Sequence, residues 1–223
     1  MYRMTAPTSR RWTIAGLLIA LFGLPLVVTA SRLLADNPKS DGAIVVREVT
    51  ILALTAFLLW IIVSRERRPL ASIQLRFDQL GKTLAWGFGL AVVCFTVLLL
   101  CLVGFSALGI RYGEGGTIAP SLTVAFLTVL RAGISEEVFY RGFAIERMQE
   151  LFGSKWVAAG ISLIAFAGFH YRQGLPGIFL AFVIGAVLTA FFLWKRNLLA
   201  AIFAHFLVDF VPNILLPLLG AQD

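Results

Sequence analysis

The chain has 223 residues, of which 59% are hydrophobic and only 14% charged, with a mean hydropathy of +0.89. A soluble domain carries about 25% charged residues, so this composition excludes an ordinary soluble globule and points to repeated passage through a bilayer. The formal charge of +7 does not indicate a nucleic-acid partner, because the cations lie in short connectors between apolar runs, where topology determinants belong.

In chain order the apolar runs fall at about 13–34, 48–64, 84–109, 119–145, 155–170, 175–194 and 197–219. They predict an all-α, polytopic transmembrane bundle of about seven spans. The first run follows "TSRRWTIAG" and ends near "VTAS", a pattern shared with cleavable secretion signals. Its length suits a crossing, and it is read as the first transmembrane helix. After the second run, "RRPLASIQLRFDQLGKTL" places Leu70, Ile73, Phe77 and Leu80 at helical spacing. This predicts a short amphipathic helix lying in the interface, as a membrane-surface prop or a substrate-docking element. Cys94 and Cys101 share the third run. Seven positions apart on a helix, they are separated by roughly 10 Å of rise, too far for a mutual disulfide, and they read as small apolar packing residues.

The connectors give an orientation. On one side lie Arg3, Arg10, Arg11, Arg65, Arg67, Arg68, Arg76, Lys82, Arg147, Lys155, Lys195 and Arg196; on the other lie Arg32, Lys39, Arg47, Arg111 and Arg172. The excess predicts a cytoplasmic N-terminus. Trp12, Trp60, Trp86, Trp156 and Trp194 all fall at the same ends as the larger set, as an aromatic belt does.

The fourth run breaks the apolar pattern with Arg131, Glu136, Glu137 and Arg141. An ionised side chain at mid-bilayer costs at least roughly 2.5–3.5 kcal/mol, so these residues require partners or a function. Glu137 and Arg141 are four apart, acid first, the favourable order for a helical ion pair. Glu136 sits about 100° away around the helix and has no such local partner. It is the candidate for a reactive carboxylate, with Glu137–Arg141 as structural support. Arg131, about 240° from Glu137, is left to Asp209 or to a lipid headgroup. The chain's two histidines, His170 and His205, also fall in or at the end of apolar runs and complete a set able to activate water. A hairpin turning at residues 151–154 sets Glu136 level with His170. His205 lands several residues lower, and Asp209, one turn further on, is nearer. Asp209 shares a face with His205 and can fix its tautomer.

Three segments carry a resemblance. "EEVFYR" (Glu136, Glu137, Arg141), "FAGFH" (Phe166, His170) and "HFLVD" (His205, Asp209) resemble, in order and spacing, the EExxxR, FxxxH and HxxxN/D motifs of the CPBP family of CAAX proteases and bacteriocin-processing proteins, the type II CAAX prenyl endopeptidase-like group. The resemblance spans about residues 118–215 and divides the chain into N-terminal helices, 1–117, and a catalytic core, 118–223. It implies an all-helical membrane bundle performing intramembrane proteolysis. In it Glu136 and His170 activate the attacking water, and His205 with residue 209 stabilises the oxyanion. Both a metal-free glutamic mechanism and a zinc mechanism are associated with the family. No HExxH occurs here, which favours the metal-free form. If zinc is bound, Glu136, His170 and His205 are its ligands. Position 209 is Asp, where the prenyl proteases have Asn, and an ionised Asp offers no N–H donor. Either Asp209 is protonated, or it only orients His205.

The leading reading is an endopeptidase of a prokaryotic plasma (inner) membrane, acting on a peptide or protein with a membrane-associated segment. The alternative is a non-catalytic membrane protein, such as a bacteriocin-immunity or scaffold factor, whose polar cluster holds helices together. A third reading, a proton-coupled transporter using the same carboxylates, finds no paired broken helices in two similar halves of this sequence to support it.

Overall fold

The computed structural model describes residues 7–112 and 121–220, with side chains from residue 10 onward. Arg3, the start of the fourth apolar run and the proposed boundary at 117/118 lie outside the described residues. Every regular element among the described residues is helical. Helices α1 (Pro7–Leu34) and α2 (Asp41–Trp60) pack antiparallel. Ser40 caps α2 by accepting from the Ala43 amide, which satisfies one otherwise orphaned N–H. Helix α3 (Leu80–Ala107) lies against α7 (Gly174–Lys195) and α8 (Leu198–Phe210).

The centre of the bundle is one continuous rod. It comprises α4 (Leu122–Glu136), a π-helical stretch Glu137–Ile145, and α5 (Glu146–Phe152). All nine residues of the π stretch are buried, with α1, α6 (Lys155–Phe169) and α8 around it. A helix buried on every side has no polar face to give to water, so its charged residues must find partners inside the protein. π-helical turns are rare and recur at functional sites.

The rod turns into α6 as expected. Gly153 adopts a left-handed conformation (φ +72°), and Ser154 caps α6 through the Val157 amide. The Ser162 hydroxyl donates to the Tyr140 carbonyl at 2.5 Å, and the Tyr140 and Phe166 rings lie 5.4 Å apart. These contacts are what a hairpin at 151–154 requires.

Five helical stretches are long and apolar enough to cross a membrane: Arg10–Leu34, Asp41–Arg65, Leu80–Ala107, Lys155–Lys195 and Leu198–Leu218. The chain is an integral membrane protein. The expected count of seven differs for two reasons. The α4–α5 rod carries too many charges to qualify by composition. The 41-residue stretch Lys155–Lys195 is two helices: after a 3-10 turn, His170–Gln173, it folds back at Gly174 (φ +72°), and α7 packs along α6. The last helix continues through a π turn, Val211–Leu215, into α9 (Leu216–Leu218).

Two connector expectations need correction. The interfacial amphipathic helix is a single 3-10 turn, Leu70–Ile73, ended by Gln74 in the left-handed region (φ +61°). Ile73 is fully buried, while Phe77 and Leu80 are exposed. The segment is drawn into the protein by polar contacts: Ser72 accepts from Arg147, and the Gln74 carbonyl accepts from the Leu198 amide. Arg147, counted as a connector cation, is fully buried and paired with Glu66, which also accepts from Thr13. At this same end, Trp12 meets Trp60 and Trp86 meets Trp194. Arg65 lies over the first pair and Lys195 over the second.

Candidate active site

The two adjacent glutamates lead into two separate ion-pair chains. Glu137, fully buried, accepts from Arg141 Nη1 at 2.7 Å through Oε1. Arg141 is fixed by three further contacts. Its Nη2 donates to the Gly185 carbonyl (3.2 Å), its Nε faces the Thr189 hydroxyl (3.4 Å), and its guanidinium lies 4.0 Å from the centre of the Phe166 ring. The expected i,i+4 pair is therefore present inside the π stretch.

Glu136 does have a partner, contrary to expectation. Arg131 Nη1 donates to Glu136 Oε1 at 2.8 Å. The Nε of Arg131 pairs with Oε2 of Glu48, a fully buried residue on α2 whose other oxygen takes Arg47 Nε at 2.7 Å. Arg131 thus goes to two carboxylates rather than to Asp209 or lipid. Charges alternate along Arg47, Glu48, Arg131 and Glu136, which is how ions persist in a low-dielectric interior. Sequence reasoning missed Glu48. The available signal was a lone acid at the edge of the second apolar run, but nothing local linked it to a residue 83 positions away.

His205 is buried and reaches the glutamates. Its Nδ1 lies 2.8 Å from Glu137 Oε1. A carboxylate paired with arginine only accepts, so Nδ1–H is the donor and Nε2 faces away. Asp209 Oδ2 lies 3.6 Å from that Nε2. The tautomer-fixing bond expected from Asp209 comes instead from Glu137. His205 reaches the level of Glu137 on the rod, above the Arg196–Glu146 ion pair at the foot of α8.

His170 is half-buried at the C-terminal end of α6. Its Nδ1 is 2.9 Å from the Phe166 carbonyl. A carbonyl can only accept, so this bond leaves the Nε2 lone pair free in the neutral ring. Phe166 joins the pieces, with ring centres 5.0 Å from His170 and 6.2 Å from His205. The structure thus links Glu137, Arg141, Phe166, His170, His205 and Asp209 by neighbouring contacts, with Glu136 adjacent to Glu137 on the rod.

That arrangement provides a carboxylate held by a guanidinium, an imidazole with a free lone pair, and a second imidazole braced by an anion. These are components of a water-activating site. It does not provide a metal cage. Among the described residues no three His, Cys, Asp or Glu side chains converge as a ligand set. Glu136 Oε1 already faces the Arg131 guanidinium. The trio Glu136, His170 and His205 therefore does not fit zinc as placed.

A small residue keeps the support in register. A Cβ on Gly185 would come within 2.8 Å of Phe166 Cδ1 and 2.9 Å of Leu163 Cδ1. Gly185→Val is expected to destabilise by about 1–3 kcal/mol and to displace Phe166 from between the histidines. A thermal melt in detergent reads the first effect, and a cleavage assay at a temperature where the variant stays folded reads the second.

Compared with known families, residues 117–211 match the family model described as Type II CAAX prenyl endopeptidase Rce1-like. Neither the curated proteins nor the solved structures return a match.

Proposed function

Since residues 117–211 belong to the Rce1-like type II CAAX prenyl endopeptidase family, we propose that this integral membrane protein is an intramembrane endopeptidase using glutamate- and histidine-activated water. The observation that carries the reading is the separation of the adjacent glutamates. Glu137 is committed to Arg141 and His205, whereas Glu136, the next residue along the rod, pairs through Oε1 with Arg131.

In this reading a water lies between Glu136 and the free Nε2 of His170. Two buried atoms on the same rod, Glu137 Oε2 and the Tyr140 hydroxyl, have no hydrogen-bond partner among the described residues. Buried polar atoms of this kind mark places where solvent is bound. Glu136 removes the water proton with help from His170, and the hydroxide attacks the peptide carbonyl. The proton then passes to the leaving amine. His205, anchored through Nδ1–H on Glu137, acts as the imidazolium, protonated at both nitrogens, and directs Nε2–H at the developing oxyanion, a role in which one donor is worth about 2.7–4 kcal/mol. Asp209, 3.6 Å from that nitrogen, supports the charged ring electrostatically. An Asp in place of an amide at 209 is then tolerable, because the imidazole alone supplies the N–H.

Substrates in this scheme are peptides or proteins with a membrane-associated segment. The N-terminal helices, 1–117, brace the core, 118–223. The tryptophan-rich end is the cytoplasmic side of a prokaryotic plasma membrane, as the basic connectors indicate. The test is cleavage of a membrane-anchored reporter peptide by the purified, reconstituted chain. Turnover is expected, undiminished by a strong zinc chelator. Loss with chelator and recovery with zinc would replace the metal-free scheme. Absence of all turnover would favour the scaffold reading, for which the buried ion pair between Glu136 Oε1 and Arg131 is the supporting observation.

A further inference from the structure

At the tryptophan-rich end, away from the glutamates, an open pocket of about 190 Å³ forms between the start of α3 and the α7–α8 turn. Its lining includes four cations, Arg76, Lys82, Lys195 and Arg196, with the neutral groups of Thr83 and Asn197. The acidic lining residue is Asp78. Arg196 is committed to Glu146. Arg76, Lys82 and Lys195 have no carboxylate partner among the described residues, so the pocket carries net positive charge. Its walls are built: Asn197 caps α8 through the Ala200 amide and donates to Thr83 at 2.9 Å, while Lys195 lies 3.7 and 3.5 Å from the ring centres of Trp86 and Trp194.

The pocket also has an apolar continuation. Trp86, Gly89, Val93 and Leu100 follow at helical spacing down one side of α3, all exposed. A Cβ on Gly89 would meet nothing within 4 Å. Cations and hydrogen-bonding groups at the belt level, above a lipid-facing stripe, match the head and tail of one molecule. Basic pockets between membrane helices bind anionic head groups, and the tryptophans mark the depth at which such head groups lie.

We propose that this pocket is a site for an anionic phospholipid, its phosphate held by Arg76, Lys82 and Lys195 and an acyl chain lying on the Trp86–Leu100 face of α3. The site is separate from the proposed catalytic chemistry, and its test reads binding, not turnover. The full chain is reconstituted in nanodiscs of phosphatidylcholine containing phosphatidylglycerol, and retained lipids are counted by native mass spectrometry. Phosphatidylglycerol is expected to be retained over phosphatidylcholine. The double variant Arg76→Gln, Lys82→Gln should reduce that preference by about tenfold or more, with Lys39→Gln as an unaffected control. Equal retention of the two lipids, or an unchanged preference in the double variant, would overturn the proposal. Competition by soluble glycerol phosphate as effective as the lipid would also overturn it, by showing a free-phosphate site. If the double variant does not fold, a photoreactive phosphatidylglycerol is applied to the wild type. Labelling of peptides covering 76–86 or 194–197 supports the site, and labelling confined elsewhere refutes it.

Discussion

Glu136→Gln is expected to abolish peptide cleavage, lowering kcat by at least about a hundredfold, the lower range for loss of a general base, while leaving the protein folded. The amide matches the carboxylate in shape but cannot take the water's proton. The fold tolerates the change because Arg131 keeps its second carboxylate, Glu48, which is itself held by Arg47. The measurement is turnover of a membrane-anchored reporter beside a melting curve in detergent, for wild type and variant purified together. Cleavage by the variant at the wild-type rate would remove Glu136 from the chemistry.

Glu137→Ala is expected to fail differently, losing stability and activity together. Arg141 is 1% exposed, and without the carboxylate it retains only the Gly185 carbonyl, the Thr189 hydroxyl and the Phe166 ring. An uncompensated buried charge of this kind costs about 3–5 kcal/mol. The same deletion removes the Nδ1 anchor of His205. A second substitution separates the two effects: Glu137→Ala with Arg141→Met removes both charges and is expected to regain much of the lost melting temperature. It should not regain turnover, since His205 still has no anchor. A Glu137→Ala protein as stable as wild type would refute the structural role. A double variant that recovers both properties would refute the role in holding His205.

The parts of this site legible in the sequence were those fixed by spacing along one helix or across one tight turn. The four-residue interval pairs Glu137 with Arg141, and the turn at 151–154 is the one that Gly153 and Ser154 make. What spacing does not encode is contact between distant segments. The partner of Glu136 was invisible because Arg131 reaches it from five residues back, with Glu48 on another helix fixing the guanidinium. The anchor of His205 was assigned to Asp209 because four residues on α8 are nearer in sequence than Glu137, although not in space. The segment around Ile73 shows the same limit on the apolar side. Helical periodicity announces that a face is buried, but burial in lipid and burial in protein read alike, and only the contacts of Ser72 and Gln74 distinguish them.

The link from α2 to the central rod has a consequence for any attempt at recombination. The matched segment, 117–211, contains both glutamates, both histidines and Asp209, yet the anion steadying Arg131 sits at position 48. A chimaera that grafts this segment onto foreign leading helices would inherit every motif and leave Arg131 with Glu136 alone of its two carboxylates. The segment that the family model delimits is smaller than the electrostatic unit to which its charged residues belong.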